Sequence, residues 1–187
     1  MPTPLTHHHL LLLLSLAVAA SSAATPPSSL VTSACAHARY PSLCVRTLAP
    51  TSPRSPTDLA RAATAAAHSA SRNASSTVRS LPLPANPRGC AALSDCTSLL
   101  SNAAGQLART EAELRRLRPG TLRWQLDNAQ TWASAAMTCQ DTCLDSFRGL
   151  AGPTRDAVAG QVVQVSQLTS NALYLIARLA SAQGRGR

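Results

Sequence analysis

The side chains of this chain with the types and spacing to do chemistry are six cysteines, five histidines and one close pair of aspartates. The cysteines stand at 35, 44, 90, 96, 139 and 143. Cys90-x5-Cys96 and Cys139-x3-Cys143 supply enough thiolates for a structural zinc site, yet neither has the short CxxC spacing such sites use. An even cysteine count in an oxidising compartment points instead to disulfides. Asp141 and Asp145 lie one helical turn apart, which could suggest paired carboxylates for acid–base work. On an exposed helix they read as a solvated face or a partner contact. Of the histidines, only His37 and His68 fall beyond the N-terminal segment, and neither has a Cys, Ser or Asp arrangement resembling a catalytic pair. No P-loop, GxSxG or HExxH occurs. The chain therefore reads as non-enzymatic, with no metal or cofactor expected.

The compartment is written at the N-terminus. Leu10 to Ala20 is an almost unbroken apolar run, followed by the small residues SSAAT, with Ala-x-Ala-like cleavage sites around Ala19 to Ala24. Residues 1–24 thus read as a secretory signal peptide, although only His7, His8, His9 and the amino terminus supply charge ahead of the run. The run is shorter than the ~20 apolar residues a membrane span needs, and no later segment reaches that length. The net charge is +9, and the 17 basic residues are all arginine. A basic secreted chain should associate with polyanions or acidic partners. Nucleic acid is a poor fit, because there is no recognised motif, few aromatics to stack bases, and a secretory signal.

The elements that must position these residues are helices. Pro41 breaks the segment 30–50 into two short helical turns, so that Cys35 and Cys44 flank the break and a helical hairpin can join them. A first long helix begins at Ser55, a suitable N-cap, with Pro56 in the first helical position and Asp58 in the first turn. Its apolar face reads Leu59, Ala63, Ala66, Ala70, Ala74, Thr77 or Val78, and Leu81. Asn73-Ala74-Ser75 within it is an N-glycosylation sequon. The proline-rich segment LPLPANP connects to a second helix, from about Arg88 to Leu117, with Leu93, Cys96, Leu100, Ala103 or Ala104, Leu107, Glu111, Leu114 and Leu117 in step. Pro119-Gly120 ends it. A third helix runs from Leu122 to about Leu150, with Ala129, Trp132, Ala136, Cys139, Cys143 and Phe147 on one face. After Gly152-Pro153, a fourth runs from about Arg155 to Ala182 with Val158, Val162, Val165, Thr169, Ala172, Ile176 and Leu179 inward. Gly160 is a weak point in it. Residues 183–187 read as a disordered tail.

Four helices of about 25 residues, each about 37 Å long, joined by short Pro/Gly connectors, make an all-α, up-down-up-down four-helix bundle. Residues 25–182 form the domain, with the disulfide-linked hairpin at its N-terminus. Antiparallel second and third helices can bring Cys96 to Cys143. Spacing alone also admits Cys90 with Cys143 and Cys96 with Cys139, so connectivity stays open at this level.

Three segments resemble one family. CAHARYPSLC at 35–44 is similar to its hairpin signature, AALSDC at 91–96 to its second-helix signature, and TWASAAMTCQDTCLDSF at 131–147 to its third. The chain resembles the plant invertase and pectin methylesterase inhibitors over roughly residues 30 to 182. The resemblance implies disulfides Cys35–Cys44 and Cys96–Cys143. It leaves Cys90 and Cys139 outside the usual pattern, either bonded to each other or free. It implies an extracellular, apoplastic or cell-wall location and a 1:1 complex with pectin methylesterase. Invertase is the alternative target, and a non-inhibitory, basic pectin-binding module a further one. Invertase inhibitors often carry a Pro-Lys-Phe tripeptide, which a chain without lysine cannot have. By motif position, the implied contact residues are Ser98, Asn102, Thr142 and Asp145. The family often has an acidic residue where Ser98 stands and an aromatic where Asn102 stands.

Overall fold

The structure is a computed structural model that describes residues 27–184. The expected signal peptide, 1–24, lies outside the described residues, as do residues 185–187 of the expected tail. Six helices follow in order: α1 (Ser29–Cys35), α2 (Pro41–Leu48), α3 (Pro56–Arg79), α4 (Pro87–Arg115), α5 (Leu122–Ser146) and α6 (Pro153–Gly184). Short 3-10 turns at Ala49–Thr51 and Pro119–Thr121 lead out of α2 and into α5. Among the described residues there is no strand.

Local chemistry explains where the helices start. Ser55 Oγ accepts from Asp58 N at 3.1 Å and caps α3. A hydrogen bond with Ser55 holds the Asp58 carboxyl below its ordinary value of 3.8, with the Arg54 amide and the Arg61 charge acting in the same direction. Asn86 Oδ1 accepts from Gly89 N at 2.7 Å, so α4 starts at Pro87, just ahead of the expected Arg88. Proline occupies an early position in α2, α3 and α4, where its missing N–H costs nothing. At the other ends, Gly149 (φ 76°) and Gly152 (φ 117°) take left-handed backbone. That conformation stops α5 at Ser146, short of the expected Leu150, and lets α6 begin at Pro153.

Each long helix packs against two neighbours, in the cycle α3–α4–α5–α6 back to α3, as an up-down-up-down bundle does. The α1–α2 hairpin packs on α3 and α6 at one end. Asn171 on α6 fastens it: Oδ1 accepts from Tyr40 N at 3.2 Å and Nδ2 donates to Tyr40 O at 3.0 Å. Arg178 Nη1 adds a bond to Ala34 O at 3.1 Å.

The core is divided. One apolar cluster, near the hairpin end, includes Leu48, Leu59, Leu107, Leu114, Leu126 and Ile176. The other includes Val78, Leu93, Leu100, Phe147, Val158 and Val162 around Cys96 and Cys143. Between them lie Ser71 on α3 and Gln140 on α5, with Thr169 on α6 beside them, and all three are fully buried. Gln140 Nε2 donates to Thr169 Oγ1 at 3.0 Å, and Thr169 Oγ1 donates to Val165 O at 2.9 Å.

The α6 stripe from Val158 to Leu179 is buried throughout. The α4 stripe is likewise buried from Leu93 to Leu114 apart from half-buried Glu111, whereas the faces of α3 and α5 are rotated from the sequence reading. On α3, Ala67 and Ser71 are buried while Ala66 and Ala70 are only half-buried and Thr77 is exposed. On α5, Ala133 and Gln140 are buried, while Trp132 and Cys139 stand half-buried at the flank. Every long helix serves two neighbours, so its buried arc is wide. Runs of alanine, serine and threonine carry too little hydrophobic contrast to mark its centre.

Candidate functional site

The surface under test lies on α4 and α5, on either side of a covalent staple. Cys96 and Cys143 are disulfide-bonded, with Cα atoms 4.3 Å apart and a sequence separation of 47. Both are fully buried. The bond fixes the axial register of the two helices. Counted from it along antiparallel helices, Ser98, Asn102, Thr142 and Asp145 fall within roughly 12 Å of axial distance. All four are exposed. Ser98 and Asn102 are four apart on α4 and Thr142 and Asp145 three apart on α5, so each pair occupies one helix face. Thr142 Oγ1 donates to Thr138 O at 2.8 Å within its own helix, and Asp145 is paired with Arg148 Nη2 at 2.6 Å. The result is a rigid, polar, outward surface. It offers hydroxyl, amide and carboxylate groups for binding and no nucleophile poised beside a base.

A second disulfide joins Cys35 to Cys44 across the hairpin, with Cα atoms 5.6 Å apart. The Cys90–Cys139 bond that the sequence left open is not formed. Both are free cysteines. The reason is register: with Cys96 held against Cys143, Cys90 and Cys139 are displaced in opposite directions along the antiparallel pair, by about 15 Å in all. Cys90 instead donates its thiol to Pro84 O at 3.2 Å in the preceding connector. Cys139 is half-buried at the α4–α5 seam, and burial pushes its thiol above the ordinary value of 9.0. The thiol is therefore protonated near neutral pH and a weak nucleophile.

Other singled-out residues find structural work. Trp132, read as part of the core stripe, lies under the guanidinium of Arg109, 4.9 Å from the ring centroid, and so closes the outer seam between α4 and α5. His68 Nδ1 meets Glu111 Oε1 at 2.8 Å, and Glu111 Oε2 accepts from Arg115 at 3.0 Å. Glu111, the polar residue in the α4 stripe, thus bridges α3 to α4. The sequence hid this pair, because the two residues are 43 apart and each looks solitary on its own helix. Asn73 is exposed on α3, Asp141 and Asp145 are exposed on α5, and His37 is exposed beyond α1. Among the described residues no group of three or more His, Cys, Asp and Glu side chains is gathered as for a metal ion. None of the described helices is long and apolar enough to cross a membrane.

The turn between α4 and α5 was not singled out by sequence reading. Gln125, buried in the first turns of α5, holds it from inside. Its Oε1 accepts from Arg118 N at 2.9 Å and Thr121 Oγ1 at 3.1 Å, while Nε2 donates to Arg116 O at 2.7 Å. Next to it Trp124 is 63% exposed.

Comparison with known proteins places this geometry. A family model described as plant invertase/pectin methylesterase inhibitor matches residues 29–175. Pectinesterase inhibitor 3 of Arabidopsis thaliana is 39% identical over 167 residues, spanning 83% of this chain and 82% of that one. Pectinesterase inhibitor 9 of the same plant is 37% identical, over 80% of each. Among solved structures, a crystal structure of a mutant form of a pectin methylesterase inhibitor from Arabidopsis superposes with a TM-score of 0.65. It covers 80% of this chain and 97% of its own at 20% identity, a likeness of fold.

Proposed function

The chain belongs to the plant invertase/pectin methylesterase inhibitor family, and from that premise we propose that it is a secreted protein inhibitor of pectin methylesterase. It acts by forming a 1:1 complex and catalyses nothing itself. The carrying observation is that relatives named pectinesterase inhibitors align over about four-fifths of both chains. In this reading residues 25–182 act as one unit in the apoplast or cell wall, after removal of residues 1–24. The contact surface is the stapled face of α4 and α5, with Ser98, Asn102, Thr142 and Asp145 at its centre. Support comes from their exposure and from the fixed backbone beneath them, because a pre-ordered surface loses little conformational entropy on binding.

The test is parallel titration of the purified chain into pectin methylesterase and invertase assays. Stoichiometric loss of esterase activity with sucrose hydrolysis untouched is the expected result. Thr142→Arg should weaken inhibition by about tenfold or more, the scale of a central interface residue, with an unchanged helical circular dichroism spectrum. Absence of esterase inhibition at excess protein would overturn the reading, and invertase inhibition alone would transfer it to the other target. Equal potency of Thr142→Arg would move the contact surface off this face.

A further inference from the structure

We propose that the α4–α5 turn, at the opposite end of the bundle from the stapled face, is a second binding site, and that it takes short runs of an acidic, uronate-bearing polysaccharide. An open cleft of about 760 Å³ lies there, lined by the turn, by the first residues of α5 and by Ala180 and Ser181 of α6. Ligand-sized clefts on proteins have this order of volume. Trp124 lies on its wall and, at 63% exposure, leaves most of its indole in solvent. Its indole offers the cleft a flat apolar face with a polar N–H at its edge.

Two further features choose the partner. Between Arg115 and Trp124 the sequence carries four arginines and no acid. Arg115 is engaged by Glu111. Arg123 lines the cleft and is exposed; Arg116 and Arg118, also exposed, adjoin it in the chain outside its lining, with Arg116 Nε donating to Ala112 O at 3.1 Å. A guanidinium fork matches a carboxylate in shape and charge. The one acid at the cleft is Asp127, exposed on its wall. Its carboxylate accepts hydrogen bonds from sugar hydroxyls. An aromatic plate for the apolar face of a pyranose, guanidinium groups for its carboxylate and a lone acceptor for its hydroxyls together describe a uronate. A single aromatic beside an acid is a poor match for nucleic acid, which asks for stacking on successive bases and an unbroken basic groove. The clamp of Gln125 on both sides of the turn keeps the site pre-formed. Trp124 and Thr142 are separated by roughly 27 Å along α5, so the cleft and the proposed inhibitory surface can be occupied independently.

The test uses the mature chain and short unesterified oligogalacturonides made from polygalacturonate, with binding read by calorimetry and by tryptophan fluorescence. Fully methyl-esterified oligomers and dextran sulfate serve as the uncharged and generic polyanion controls. Expected are binding of the unesterified oligomer, weakening with added salt, and loss of affinity by about tenfold, or 1.4 kcal/mol, in Trp124→Ala. Trp124→Phe should retain most of the affinity. Arg123→Glu should abolish binding, whereas Arg79→Glu, at the far end of the bundle, should not. Esterase inhibition by Trp124→Ala should equal that of the parent, which separates this site from the inhibitory reading. The proposal fails if Trp124→Ala binds as the parent does, if methyl-esterified oligomers bind equally well, or if dextran sulfate binds as tightly and with no dependence on Trp124.

Discussion

Gln140 shows what one buried polar side chain does in this core. It is fully buried, its amide nitrogen is satisfied by Thr169, and its Oε1 has no hydrogen-bond partner among the described residues. A buried acceptor without a partner costs free energy, whereas Thr169 would keep its own bond to Val165 O if Gln140 were removed. Gln140→Leu is therefore expected to be neutral or stabilising, by up to about 1 kcal/mol, with a raised denaturant midpoint. A loss of stability of that size would mean that the Oε1 acceptor is satisfied in solution. His68 and Glu111 represent the opposite case at the same scale. There a part-buried polar pair, one of its members within the α4 stripe, is matched across helices at 2.8 Å.

At the scale of elements, two glycines sort by what surrounds them. Gly89, in the first turn of α4, packs under the connector, and a Cβ there would stand 2.6 Å from Pro84 Cβ. Gly89→Ala should destabilise by about 1–3 kcal/mol through that overlap, despite its better helix propensity. Gly160 is exposed on α6, and a methyl group added there would meet nothing within 4 Å. Gly160→Ala should stabilise by about 1 kcal/mol. Urea unfolding of the two variants reads both signs, and the same sign for both would remove the packing explanation. The connector holding Pro84 also receives the Cys90 thiol, so α4 is anchored at its start by contacts rather than by a third disulfide.

For the molecule as a whole, the Cys96–Cys143 bond closes a 47-residue separation and the Cys35–Cys44 bond a 9-residue one. In the chain-entropy picture the longer loop contributes about 4 kcal/mol. The paired variant Cys96→Ala/Cys143→Ala should lose stability of that order and, with the register of α4 and α5 released, lose inhibitory potency as well. Thiol titration of the native protein should find two reactive groups, Cys90 and Cys139. Cys139 should react more slowly because burial raises its thiol above the ordinary value. Absence of any reactive thiol before reduction would contradict this pairing. The distribution of binding surfaces is also a whole-molecule property. The stapled face and the Trp124 cleft occupy different ends of one rigid bundle.

The linear sequence determined the helices, because their signals are local. Proline at first positions, Ser55 as a cap and glycine at exits act within a few residues, and α6 carries enough branched apolar residues to define its buried stripe. The residues proposed to face the esterase were named from fixed offsets to the cysteine motifs, and the structure shows them exposed. Tertiary structure decided what depends on neighbours. The wide two-sided contacts of α3 and α5 turned Ala67, Ser71 and Gln140 inward, and left Trp132 and Cys139 at the seam. Antiparallel register kept Cys90 apart from Cys139. Distant elements brought His68 to Glu111 and set Ala180 and Ser181 opposite Trp124. Burial and proximity between helices are sums over the whole fold, and no short stretch of sequence contains them.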